Sequence, residues 1–175
     1  MTTLYKLTDA NDCTRETTQW GAGVTHTAPG DGELCTKSWI HAYRSELLAV
    51  MMDPIHGHYL PDGHLWIADG DVGRDDGTKV GCTSLTTCSR VDVPAVTITQ
   101  RVAFGILAAR AVCTDAAWCA WADRWLSGED RTAEAAYAAG AAGAAYAAYA
   151  AAEAEAASHV LDLVAIAERA VNLPL

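Results

Sequence analysis

Residues 133–157, AEAAYAAGAAGAAYAAYAAAEAEAA, constrain this chain more than any other stretch, because 17 of the 25 are alanine. Alanine is the strongest helix former, so the composition predicts one continuous helix over 131–157. Alanine also buries little area, so such a helix gains little by covering a core. Its small side chains instead let a second helix approach closely. Gly140 and Gly143 lie about 60° apart around a helix and make a flat notch. Tyr146 and Tyr149 share another side, where Glu153 joins them. A glycine inside a helix costs about 1 kcal/mol relative to alanine, so two of them point to a contact that needs the missing methyl groups. Gly140, Gly143, Tyr146 and Tyr149 are therefore expected to form an oligomerisation surface. Its partner is the same helix in a second copy or the final helix, SHVLDLVAIAERAV, with its stripe of Val160, Leu163, Val164 and Ala167.

Composition changes at VDVPAVTITQRV, which divides the 175 residues into an α+β domain, 1–96, and a helical region, 97–175. In the first part, TTLYKLTD alternates like a strand, and NDCTRETTQWGAG reads as a turn and a second, Thr-rich strand. APGDGEL is a loop. TKSWIHAYRSELLAVMMD is the first helix candidate, with Ser38 as cap, Ile40, Leu47, Leu48 and Met51 at helical spacing, and Pro54 as its end. HLWIADGDV reads as a buried strand leading into the turn GRDDGTK. VGCTSLTTCSRVDV supplies one or two more strands, with a bulge at Gly81. The expected fold class is α+β: a small, mostly antiparallel sheet with one helix, then a helical C-terminal region that includes the long alanine-rich helix.

In the second part, Thr97 and Gln100 stand at capping-box spacing, and Val102, Ile106, Ala109 and Cys113 form one apolar face. The next helix carries Trp118, Trp121 and Trp125 as an aromatic core stripe and stops at Gly128.

The charge balance is 12 basic against 22 acidic side chains, net −10. Such a chain repels nucleic-acid phosphates, which argues against DNA or RNA as a main partner, although a local basic pocket can still hold a small anion. No apolar run reaches the roughly 18 residues of a membrane span. The first residues, MTTLYKLTDANDC, hold neither a basic n-region nor an apolar h-region, so the expected setting is cytoplasmic, with all six cysteines reduced. Their spacing fits no common zinc pattern.

No GxSxG, Walker or GxGxxG motif occurs, and no catalytic residue or cofactor is assigned. His56 and His58 fall on one side of an extended segment, a geometry compatible with a metal, but no HExxH-type motif accompanies them and no metal is assigned. The ligand-binding candidates are His41, Tyr43 and Arg44, read as the start of a helix after a glycine-containing loop, together with His56 and His58. Helix starts attract anions, and ring stacking beside a guanidinium suits a nucleotide. A small nucleotide-like ligand is the expected partner.

The stretches WIHAYRSELLAVMMDPIH, LWIADG, KVG, ITQRVAFGIL and WADRWLSGEDR, followed by the alanine-rich tail, resemble small proteins of tailed phages and prophages. That resemblance spans nearly the whole chain and implies a phage protein acting in the cytoplasm of a bacterial host. The first half is also similar to domains with GFHAC at the place of WIHAY, a strand–turn–helix pattern like the part of ADP-ribosyltransferase folds that borders the NAD site. Here Trp39 stands at the glycine's place, and LWIADG offers Asp69 where that family has a glutamate. The resulting expectation is an accessory protein that binds a nucleotide-like host immune signal without turnover. The alternatives are an ADP-ribosyltransferase-like enzyme, recognised by NAD consumption, and a structural or interaction module acting through its helices.

Overall fold

The computed structural model describes residues 3–15, 17–132 and 161–174, and at 54–56 the backbone only. The chain divides into two compact units, Met1–Ala95 and Val96–Leu175. The architecture is α+β, with a sheet whose named strand pairs are all antiparallel. The alanine-rich segment, with Gly140, Gly143, Tyr146 and Tyr149, lies outside the described residues.

The first unit is built around a long hairpin of β6 (His64–Asp75) and β7 (Val80–Val91). Its tip is the DDGT turn, where the Asp76 carboxylate accepts the backbone N–H groups of Thr78 and Lys79, both at 2.9 Å. Gly77 supplies the left-handed φ of 77° that the turn requires. β1 (Leu4–Thr8) pairs with β6 along its full length, Leu4 opposite Ala68 and Thr8 opposite His64. The other edge of β7 is shared by β4 (Thr25–Thr27) and β5 (Ile40–Ala42). Tyr43, directly after β5, bridges Tyr5 of β1, so the pairings run β1–β6–β7–β5 and back to β1. Leu4, Ala42, Ala68, Val80, Cys82 and Leu85 pack around Trp20 as the core of this ring. β2 (Cys13–Thr14) and β3 (Thr18–Gln19) form a separate two-stranded hairpin.

The helix expected to begin near Ser38 begins instead at Glu46, with Ser45 as its cap, so α1 spans Glu46–His56. Ile40, His41 and Ala42 belong to strand β5, because pairing Ile40 with Cys82 and Ala42 with Val80 across the chain overrides the helical spacing of the apolar residues. α1 also continues past Pro54. A proline in the last turn withholds one N–H but fits a helical φ, and the end is closed by Gly57 and His58, whose N–H groups donate to the Asp53 carbonyl at 2.9 and 3.1 Å. The bulge expected at Gly81 lies across the ladder, at Gly73: Val72 faces Cys82 and Arg74 faces Gly81, which leaves Gly73 without an opposite residue. Both glycines are needed, since the Trp39 ring covers them and a Cβ on either would run into it.

The second unit contains three described helices. α2 (Ile98–Arg110) starts with the full capping box of Thr97 and Gln100. Of the apolar face expected from sequence, Ile106, Ala109 and Cys113 are buried and Val102 is half-buried; Ala103, Phe104 and Leu107 are buried as well, so the face is wider than the spacing suggests. α3 (Ala116–Ser127) is capped by Asp115 and ends on Gly128 at φ 86°. Of its tryptophans Trp125 is buried, whereas Trp118 and Trp121 are half-buried. α4 (Leu163–Val171) packs on α2 through Leu163, Ala167 and Ala170, with Gln100 Nε2 donating to the Val171 carbonyl at 3.1 Å. Val164 is half-buried, and Val160 lies outside the described residues. No helix among the described residues is long and apolar enough to cross a membrane.

Candidate functional site

The first unit holds a cleft of about 390 Å³. β1 contributes Lys6; the β2–β3 hairpin contributes Thr14, Arg15 and Thr18; β4 contributes His26 and Thr27. The loop before β5 brings Cys35, Lys37 and Trp39, and β5 with its bridge residue brings His41 and Tyr43. Asp53, Gly57 and Tyr59 come from the end of α1 and the loop after it, and Lys79 from the foot of β7.

Lys6 is the unusual member. Along β1 it follows Leu4 by two residues and so falls on the same inward face. It is 8% exposed. Its Nζ donates to the His41 carbonyl at 2.7 Å and stands 5.1 Å from the centre of the Trp20 ring. None of the described ion pairs involves it. Burial lowers the Lys6 pKa to about 8, with the Arg15 charge acting in the same direction and Cys82 opposing.

His41 is held by its Nε2, which donates to the Leu34 carbonyl. That bond leaves Nδ1 as the acceptor of a neutral ring. Burial lowers the His41 pKa first; the Leu34 bond opposes this, and the charges of Lys6, Lys79 and Arg15 lower it further. Three cationic side chains thus act on one ring, which marks a positive field inside an acidic protein. Tyr43 stays a neutral phenol, its pKa raised by burial and then by the neighbouring Asp53, Tyr59 and Asp76.

Asp53 is the one carboxylate among the described lining residues. It is 4% exposed and committed to the loop: one oxygen accepts the Tyr59 N–H at 2.8 Å and the other the Leu60 N–H at 3.1 Å. Lys79 is offset by Asp76 at 3.2 Å. Lys6, Arg15 and Lys37 appear in no described ion pair, and Asp53 is the one described carboxylate that shares the lining with them.

The residues singled out from sequence are distributed unevenly about this cleft. His41 and Tyr43 line it, from a strand rather than from a helix start. Arg44 points elsewhere and forms an exposed ion pair with Asp75 at 2.7 Å. His58 is exposed, has φ 55°, and does not line the cleft. The backbone of His56 is in α1, and its side chain is outside the described residues. Asp69 lies on β6 opposite Thr86, away from the lining. No cluster of three or more His, Cys, Asp or Glu arranged for a metal occurs among the described residues. Lys6, Arg15, Lys37, Trp20 and Tyr59 were not foreseen. A signal existed for Lys6, the single charge within the strand LYKLT and in phase with its buried leucine.

The chain matches no family model, no curated protein and no solved structure.

Proposed function

We propose that the cleft of the first unit binds a small nucleotide-like anion and holds it without turnover. The observation that carries this reading is the excess of cationic over acidic side chains on the described lining: Lys6, Arg15 and Lys37 converge there, beside the single carboxylate of Asp53, in a chain of net charge −10. A concentration of positive charge against the sign of the whole protein suits a ligand anion. Trp20, Trp39, Tyr43 and Tyr59 on the same lining suit a ring. Asp53, engaged by two backbone amides, is poorly placed to serve as a general base. With the resemblance to phage proteins, this supports an accessory protein that sequesters a nucleotide signal of its bacterial host.

Isothermal calorimetry against cyclic nucleotides, nucleoside diphosphates and ADP-ribose derivatives tests the reading, with chromatography of each mixture after incubation. Binding with the ligand recovered unchanged is expected. Release of nicotinamide from NAD would establish a transferase instead. Silence across the panel would overturn ligand binding and leave the helices as the working part.

A further inference from the structure

We propose that the ligand is seated on Lys6 by a group carrying two or more negative charges, a terminal phosphate or a pyrophosphate, and that seating it draws a proton onto the Lys6 amine. This rests on the reading that the cleft binds an anion, and it names the group that does the binding.

A lysine ammonium has three donors. One goes to the His41 carbonyl at 2.7 Å, and the Trp20 face lies 5.1 Å away. Neither cancels a full charge. Among the described residues, the titratable and charged groups around the amine do not pair with it either: Asp53, the carboxylate that α1 brings to the lining, is engaged by the Tyr59 and Leu60 amides and forms no ion pair with Lys6. From β7, Cys82 is buried, and burial pushes its thiol up to about 11, so it is neutral. From β5, His41 is neutral at pH 7 because its pKa is lowered by burial. Arg15, at the tip of the β2–β3 hairpin, carries the same sign as Lys6, and so does Lys79 beyond His41. A buried ammonium with one carbonyl partner and no described ion pair is unfavourable until an anion arrives.

Arg15 and Lys37 extend the positive lining outward from Lys6, and both are exposed. A singly charged cyclic phosphodiester leaves most of this charge uncompensated. A diphosphate compensates nearly all of it. A cleft of about 390 Å³ lies within the range that holds small ligands. Burial brings the Lys6 pKa to about 8, so near that pH about half of the empty protein holds a neutral amine. A bound phosphate favours the ammonium, and the proton comes from the buffer.

Calorimetry of inorganic pyrophosphate, a nucleoside diphosphate and a cyclic mononucleotide, run near pH 8 in two buffers of different ionisation enthalpy, tests this directly. Pyrophosphate alone should bind. The diphosphate should bind more tightly than the cyclic ligand, and Lys6→Met should weaken both polyanions by about tenfold or more. Proton uptake on binding should be greater in the parent protein than in Lys6→Met, a difference that cancels the protons exchanged by the ligand itself. Circular dichroism confirms that the variant is folded, and Lys6→Arg should retain much of the affinity without the proton uptake. Pyrophosphate binding with no response to any nucleotide would sink the nucleotide reading and leave the Lys6 anchor standing. Nucleotide binding unaffected by Lys6→Met would sink the anchor and leave the nucleotide reading standing. Tighter binding of the cyclic ligand, or equal proton exchange in the parent protein and Lys6→Met, also overturns the proposal, as does failure of all three ligands to bind.

Discussion

The backbones of Tyr5 and Tyr43 exchange both of their hydrogen bonds, at 2.8 and 2.9 Å. This pair joins β1 to the chain leaving β5, and it makes a ring of strands from what would otherwise be an open sheet. The ring bears on the cleft, because Tyr43 lines it and Lys6, which also lines it, adjoins Tyr5. The Tyr5 N–H is the donor that a proline removes. Tyr5→Pro should therefore be less stable than Tyr5→Ala, which keeps the donor, by about 1–3 kcal/mol. Urea denaturation of the two variants gives the difference, and equal midpoints would show that the bridge contributes nothing.

Trp39 occupies the space left by two glycines. A Cβ at Gly81 would lie 3.0 Å from two atoms of the Trp39 ring and closer still to Leu34, and one at Gly73 would also meet the ring. Trp39 is 7% exposed and donates from Nε1 to the Gly32 carbonyl at 3.3 Å, so it has little freedom to move aside. Gly81→Ala should cost about 1–3 kcal/mol through overpacking. The same substitution in a Trp39→Leu background should cost less. A double-mutant cycle read by chemical denaturation measures the coupling, and additive effects would remove Trp39 as the reason for the glycine.

Local features were legible in the sequence. The capping box at Thr97 and Gln100, the stop at Gly128, the DDGT turn and the alternation of LYKLT each depend on neighbours within a few residues. β5 was not legible, since its partner residues Val80 and Cys82 lie about 40 positions away in the chain and WIHAYRSELL satisfies a helical period equally well. The site shares that difficulty. Lys6 meets His41 across 35 residues, and Arg44 leaves the cleft because Asp75, 31 residues away, captures it. His41 and Tyr43 line the cleft, but from a strand and its bridge residue where the sequence suggests a helix start. The alanine-rich stretch, the strongest sequence signal, lies outside the described residues.

That capture of Arg44 sets an expectation. Its ion pair with Asp75 is exposed at both ends, 45% and 38%. Exposed pairs of this kind contribute about 0–1 kcal/mol. Arg44→Ala should change stability within that range and leave pyrophosphate affinity unaltered. A clear loss of affinity in the folded variant, measured by calorimetry, would return Arg44 to the binding site.

Asp12 organises the opposite end of the β6–β7 hairpin from the turn. Its carboxylate accepts from His64 Nδ1 at 2.8 Å and Trp66 Nε1 at 3.0 Å, and forms an ion pair with Arg90. Burial works to raise its pKa, but the bonds from Arg90, His64 and Trp66 outweigh it and hold the carboxyl below its ordinary value. A depressed folded-state pKa gives stability that is present above the unfolded pKa and is lost as pH falls through the folded one. Asp12→Ala should therefore destabilise the protein by about 1–3 kcal/mol at neutral pH. The gap to the parent protein should close below about pH 4. Thermal melts across that range test it, and a gap independent of pH would exclude the charge as its source.

Lys6 should behave in the opposite way. Its pKa in the folded protein is lowered to about 8 from 10.5, chiefly by burial. Between those values the unfolded chain binds more protons than the folded one, so the Lys6 contribution to stability rises with pH across that window. Below it, folding must bury an ammonium that no described carboxylate offsets. Methionine has a similar length, no charge and a flexible apolar chain, so it fits the same space beside Trp20. Lys6→Met should therefore be at least as stable as the parent protein at pH 7, and its advantage should shrink as pH rises from about 8 to about 10.5. Equilibrium denaturation at intervals across this range measures the difference between the two proteins, which cancels the other titrating groups they share. If pyrophosphate seats on Lys6 as proposed, a saturating concentration should reverse the order, since a ligand bound to the parent protein and only weakly to the variant stabilises the parent by mass action. A Lys6→Met protein that is much less stable than its parent at pH 7 would show that the lysine is held for structure, and that its burial is already compensated without a ligand.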